Sequence, residues 1–328
     1  MITTGFTAVD LRGAVAAAIR APSLHNSQPW RFRLHDGGIE VRLDRTRPLP
    51  PAGAGHLGDW AAHIACGAAA FNIQLALAVQ DTPARVSLRP YPDDLDVVAR
   101  LVPDRARPAT QAEHNLFEAI PRRHSSRMPF FPDPVPGEIR WRLAEAARAE
   151  AAWLELIVGT AAVEAFGQLA HSANRVLERD PGYRAAIARW TRYEPAPDGV
   201  PAASGGPVTE PHDLLPQRPF ADRRRAPGRD FEPEPLVAVL GTPADTAADQ
   251  ITAGLALQRV LLTATNAGLA TSMLSQPIEV PAARERLRTG LGRFGAPQMV
   301  LRIGYGQPGW PTPRREPDDV TDEPGHLA

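Results

Sequence analysis

The spacing of apolar residues sets out alternating helical and extended stretches. Residues 11–20 form an alanine-rich helical run, and Trp30-Arg31-Phe32-Arg33-Leu34 alternates as a half-buried strand does. Asp36-Gly37-Gly38 marks a hairpin turn into a second alternating strand, 39–43. The run 48–58, rich in proline and glycine, is a loop, and 58–79 is a mostly apolar helix buried on more than one face. Strands follow at 85–89 and 96–102, and 103–108 is a linker.

A new unit begins near Thr110. Helices are predicted at 111–120, 137–150, 160–179 and 183–193, with a strand at 153–158. An apolar strand at 236–240 leads into a helix at 247–267, which Gly268 ends. A loop or strand at 269–277, a short helix at 282–289, a strand at 298–303 and a proline-rich tail, 304–328, complete the chain. The two parts match in order: 11–20 and 30–34 correspond to 138–148 and 153–157, Gly67 onward to Gly254 onward, and 97–101 to 299–303. We therefore read an α+β unit present in two degenerate copies, residues 1–108 and 109–328.

Their differences carry the chemistry. Only the first half has the loop Pro22–Trp30, and only the second has Arg122-Arg123-His124-Ser125-Ser126-Arg127. The second half also contains 194–235, with many prolines and the basic run Arg223-Arg224-Arg225. A connection that long is a functional lid or a disordered linker; we read a lid.

Composition narrows the partners. A net charge of −1 and a pI near 6.8 give no general attraction for nucleic acid or an anionic membrane. The beginning of the chain lacks the charged start and apolar core of a secretory signal, and no uninterrupted apolar run has spanning length, so a cytoplasmic protein is expected. One cysteine, Cys66, forbids an internal disulfide and lies in an apolar helix as a small hydrophobe. His56, Asp59 and His63 lack a third strong ligand nearby and read as polar positions at a helix start. Lysine is absent, so any bound anion must be met by arginine, histidine or backbone amides.

The loop Pro22-Ser23-Leu24-His25-Asn26-Ser27-Gln28-Pro29-Trp30 offers a hydroxyl, an imidazole and two amides between two prolines that bar helix. It can recognise a planar polar ligand, or its side chains can satisfy their own backbone. The pattern PSxxNxQPW resembles the flavin-contacting loop of the nitroreductase superfamily, and Arg123-x-Ser125-x-Arg127 resembles that superfamily's opening arginine motif. The fused pattern is similar to its Acg-like branch.

The resemblance implies a nitroreductase-like fold, a pseudo-dimer with a lid insert, and one FMN per chain. It implies that Arg123 and Ser125 hold the phosphate, with Arg127 near the flavin N1/C2 carbonyl. Pro22, Ser23, Asn26 and Gln28 would border the ring, Ser275 and Gln276 would lie toward N5, and Arg314-Arg315 would form a basic pair at the phosphate. His25 faces either the flavin or its own loop, and Arg223–Arg225 either reach the cofactor or are solvated. An FMN-dependent oxidoreductase using NAD(P)H and a small electron acceptor is the leading expectation, with a monomer. A flavin-sequestering protein is the second reading, and a cofactor-free partner-binding module the third.

Overall fold

The computed structural model describes residues 5–47, 59–210, 213–220, 235–307 and 309–322. The first helix, α1 (Ala8–Ala18), starts earlier than its apolar spacing predicts, because Thr7 and Asp10 form a capping box. Strands β1 (Trp30–His35) and β2 (Gly38–Leu43) make a hairpin whose turn residues Asp36 and Gly37 both have positive φ, 46° and 67°. Helix α2 (Trp60–Ala78) follows, then β3 (Ala84–Leu88) and β4 (Val97–Pro103).

Next come α3 (Gln111–Ala119), α4 (Gly137–Arg148), β5 (Trp153–Ile157) and α5 (Thr160–Arg179). Helix α6 (Pro181–Trp190) begins at a proline because the Asp180 carboxylate caps it by accepting from the Gly182 N–H. Two short strands, β6 (Thr191–Arg192) and β7 (Val200–Pro201), pair in parallel. Then come β8 (Leu236–Thr242), α7 (Ala247–Asn266), β9 (Ala270–Leu274), α8 (Gln276–Glu279), α9 (Pro281–Leu291) and β10 (Ala296–Gly304).

Where a featureless tail was expected, α10 (Pro317–Val320) and β11 (Thr321–Asp322) fold. Strand β11 lies parallel to β1, pairing Phe32 with Thr321, and Arg31 bonds Asp322 at 2.5 Å.

Besides the β6-β7 pair, the described residues form two larger sheets, ordered β11-β1-β2-β4-β3 and β5-β8-β10-β9. Leaving β11 aside, strands of the first sheet appear as first, second, fourth and third in the chain, and those of the second sheet do the same. Helices α2 and α7 cross between them. At the crossing a Cβ on Gly67 would lie 2.1 Å from the Ile251 carbonyl oxygen, and one on Gly254 would lie 2.2 Å from that of Ile64. His63 Nδ1 meets Gln250 Oε1 at 2.8 Å beside this contact. Helix α2 has the length and hydropathy of a membrane span, but it is mostly buried against protein, as a core helix is. Cys66, fully buried on α2, has its thiol pushed up by burial and is inert.

Candidate functional site

The loop after α1 is held in an uncommon shape. His25, Asn26 and Gln28 all have positive φ, 56°, 55° and 52°, which costs non-glycine residues on the order of 1 kcal/mol each or more. Ser23 Oγ accepts from the Gln28 N–H at 3.0 Å, and a 3₁₀ turn covers Leu24–Asn26. Longer-range bonds fix the shape. Asn26 Nδ2 donates to the carbonyls of Gly199 and Pro313, both at 2.9 Å, while its Oδ1 accepts from Arg314. Gln28 Nε2 donates to the Pro197 carbonyl at 2.9 Å, and Gln28 Oε1 accepts from the Arg315 N–H at 2.8 Å. The two amides thus staple three distant segments together.

Residues 122–127 dock beside β9. The Ser126 N–H donates to Thr271 O at 2.8 Å, and Ser125 forms a bridge with Thr271. Arg302 on β10 steadies the segment from behind, donating to the carbonyls of Ser126 and Met128 with its guanidinium 4.1 Å from the Phe130 ring centroid.

Between these parts lies a cavity with about 750 Å³ of non-atom space, part of it open to solvent. Pro22, Ser23 and His25 line it from the loop, Ser125 and Arg127 from the arginine segment, and Ser275 and Gln276 from the end of β9. Trp60 and Ile64 of α2 and Leu257 of α7 supply apolar wall. Gln217, Arg218 and Phe220 complete it from the 194–235 segment.

Six of the expected residues therefore meet at one cavity: Pro22, Ser23, Ser125, Arg127, Ser275 and Gln276. Asn26 and Gln28 do not line it, because their amides serve the staple. Arg123 and Arg314 lie outside the lining, in a second cluster with Arg20 and His124. Arg123 Nη2 donates to Arg20 O and Arg314 Nη2 to Ala21 O, each at 3.3 Å, and neither Nε has a partner. Arg315 turns away to Asp44 at 3.0 Å, a carboxylate that occupies its guanidinium. Arg223–Arg225 and His56 lie outside the described residues.

The electrostatics are one-sided. Among the described residues no carboxylate pairs with Arg20, Arg123, Arg127 or Arg314. Burial pushes Arg123 down to about 10, and burial with Arg218 does the same to Arg127. Arg314 falls to about 9 through burial, Arg123 and Arg20; His124 falls to about 4 through burial and all three of those arginines. His25 is held well below its ordinary range by burial, Arg218 and Arg127, so it is neutral at pH 7.

Sequence reasoning missed Arg20, His124, Arg218 and Phe220. Arg20 adjoins the loop and His124 sits inside the arginine motif, so both were within reach. Nothing local distinguishes Arg218 or Phe220 in a proline-rich run.

No family model matches the chain. It is 34% identical over 340 residues to "Putative NAD(P)H nitroreductase Rv3131" of Mycobacterium tuberculosis, covering 98% of this chain and 93% of the relative. It is 31% identical over 331 residues to "Putative NAD(P)H nitroreductase acg" of the same species, covering 98% and 96%. Among solved structures, a nitroreductase from Desulfitobacterium hafniense with bound FMN is 16% identical with a TM-score of 0.42, covering 64% of this chain and 98% of that one. Identity above 30% along nearly the whole of both chains makes this protein a member of the nitroreductase family, alongside the mycobacterial Acg protein.

Proposed function

We propose that the chain binds one FMN at this site and passes hydride or electrons from NAD(P)H to a small acceptor. The observation that carries the reading is a set of guanidiniums without a carboxylate, buried at Arg123 and half-buried at Arg127 and Arg314, with Arg123 Nε and Arg314 Nε buried and lacking any acceptor. Buried cations require an anion, and a phosphate with three acceptor oxygens suits arginine forks. Arg123 and Arg314, with Arg20 beside them and Ser125 at the cavity wall, would hold the phosphate. Pro22 and Ser23 would border the ring, Arg127 would meet its pyrimidine edge, and Ser275 and Gln276 would line the N5 side. Asn26, Gln28 and Arg315 contribute by fixing the loop and the tail.

When bound, FMN supplies two-electron chemistry at N5. The protein's part is to orient the ring in this cavity, exclude water with Trp60, Ile64 and Leu257, and favour negative charge at the ring through Arg127.

The same reading takes residues 1–108 and 109–328 as fused copies of one unit, a pseudo-dimer. The shared strand order supports it. So do the reciprocal contacts of Gly67 with Ile251 and Gly254 with Ile64, since a two-fold interface pairs residue i with j and j with i. The surface through which copies associate is then internal, and the chain is a monomer.

Residues 194–235 act as a lid, which the presence of Gln217, Arg218 and Phe220 in the cavity wall supports. That wall also favours a second reading, flavin storage with little NAD(P)H turnover. Titration of purified protein with FMN, followed by absorbance, is expected to saturate near one per chain. No uptake overturns the flavin reading, and two per chain overturns the fused-copy reading. Anaerobic NADPH and NADH separate turnover from storage: bleaching supports the oxidoreductase, and no bleaching in the loaded protein supports storage.

A further inference from the structure

Arg218 reaches the cavity from the lid segment and is only 9% exposed. Its Nη2 donates to Ser275 Oγ at 2.7 Å and to Glu279, and its guanidinium lies 5.3 Å from the Tyr183 ring centroid. Its Nη1 has no partner. Gln276 Nε2, on a side chain 1% exposed, is also without one. Arg127 shares the wall, its guanidinium 5.0 Å from the Phe220 ring centroid, and its Nη1 donates to the Ser204 carbonyl at 3.3 Å.

Glu279 offsets one of these two cations, which leaves the cavity with one positive charge in excess. None of its lining residues is acidic. His25, neutral and 5.7 Å from Phe220 between ring centroids, adds a flat edge, and Trp60 adds another aromatic wall. The unmet needs are therefore specific: acceptor oxygens for Arg218 Nη1 and Gln276 Nε2, a single negative charge, and a planar body for the aromatic walls.

We infer that Arg218 is a specificity-determining residue that selects planar ligands bearing a carboxylate or similar monoanion over neutral ligands of the same shape. The inference deepens the flavin reading and rests on it, with the selected ligand lying between the flavin and the lid wall. A neutral ligand leaves the excess charge and the buried Nη1 uncompensated, a loss of about tenfold or more in affinity. The phosphate-directed cluster of Arg20, Arg123 and Arg314 is separate and does not take part.

The test titrates the FMN-loaded full-length protein, oxidised, with 4-nitrobenzoate and with neutral 4-nitrobenzamide, following the flavin difference spectrum. Saturable perturbation with 4-nitrobenzoate bound about tenfold tighter is expected. Arg218→Met, titrated in the same way once loaded with FMN, should bring the two affinities within about threefold of each other. Because that variant leaves Glu279 unpaired, the double variant R218M/E279Q serves where the single one does not fold; it removes the Nη1 donor while Arg127 keeps the wall's net charge at one, so it separates Arg218 itself from the bare charge. Equal affinities in the unaltered protein, no perturbation by either compound, or a preference that survives in the variants would overturn the inference while leaving FMN binding intact. A chain that takes up no FMN sinks the flavin reading instead. The same titration read by tryptophan fluorescence, with Trp60 in the wall, then tests Arg218 by itself: a preference for the anion supports it and none overturns it.

Discussion

Arg314 has acceptors around both terminal nitrogens, Asn26, Thr312 and Pro313 at Nη1 and Ala21 at Nη2, and none at Nε. It is poised between fastening the loop and holding an anion, and two ligands separate these roles. Arg314→Met is expected to weaken FMN at least tenfold, a charge-assisted hydrogen bond contributing about 1.5–3 kcal/mol. Riboflavin, which lacks the phosphate, should change by less than about threefold; equal losses for both would assign Arg314 to the loop alone. Protonation gives a second prediction at this scale. His25, His63 and His124 all have folded values below the ordinary 6.5, burial being the first cause in each. The unfolded chain therefore takes up protons more readily, and stability present above pH 6.5 is lost as pH falls below it. Urea melts at pH 7.5 and 5.5 should show a lower midpoint at 5.5, by a smaller margin in His25→Gln; a pH-independent midpoint would contradict this. The sequence announced Ser125, Arg127 and Ser23 because short motifs carry them. The bonds of Asn26 and Gln28 were not legible, since their partners are carbonyls about 170 and 290 residues away and the N–H of Arg315.

The 194–235 segment and the tail are the stretches that periodicity rendered poorly. A two-residue strand such as β7 or β11 has no period to detect. Both are held by side chains instead. Asp198 is clasped by Arg47 and by Arg192, the latter at 2.6 Å, and the guanidiniums of Arg47, Arg189 and Arg192 lie 5.3, 5.4 and 5.7 Å from the Trp190 ring centroid. Removing the shared carboxylate should loosen the segment where it meets the loop. Asp198→Ala is expected to speed proteolytic cleavage within 194–210 severalfold and to raise the rate at which NADPH bleaches bound flavin. Unchanged cleavage would mean that Asn26 and Gln28 hold the segment by themselves. Longer elements were legible: β1, β2, β8 and β10 alternate or run apolar over five or more residues, and α7 carries a Thr246/Asp249 capping box.

Across the whole molecule, α2 and α7 approach so closely that each presents a glycine to the other's backbone. The order of the long helices and strands along the chain was readable, because each carries its own apolar spacing. The glycine contact was not, since nothing in either helix alone requires it. Gly254→Val would drive its side chain into the Ile64 carbonyl and force the helices apart. Overpacking of this kind costs about 1–3 kcal/mol, and more where backbone must move, so the melting temperature should fall by about 2–4 °C or more. An unchanged melting temperature would show that the crossing can slide. The staple at Asn26 has a temporal side as well. Its partners stand near residues 199 and 313, so the strained loop cannot be held until almost all of the chain described here has been synthesised and brought home. Contacts so far apart along the chain form late, when most of the fold already stands. Cofactor uptake would then mark the end of folding rather than assist its beginning, and a chain that is yellow is one that has finished.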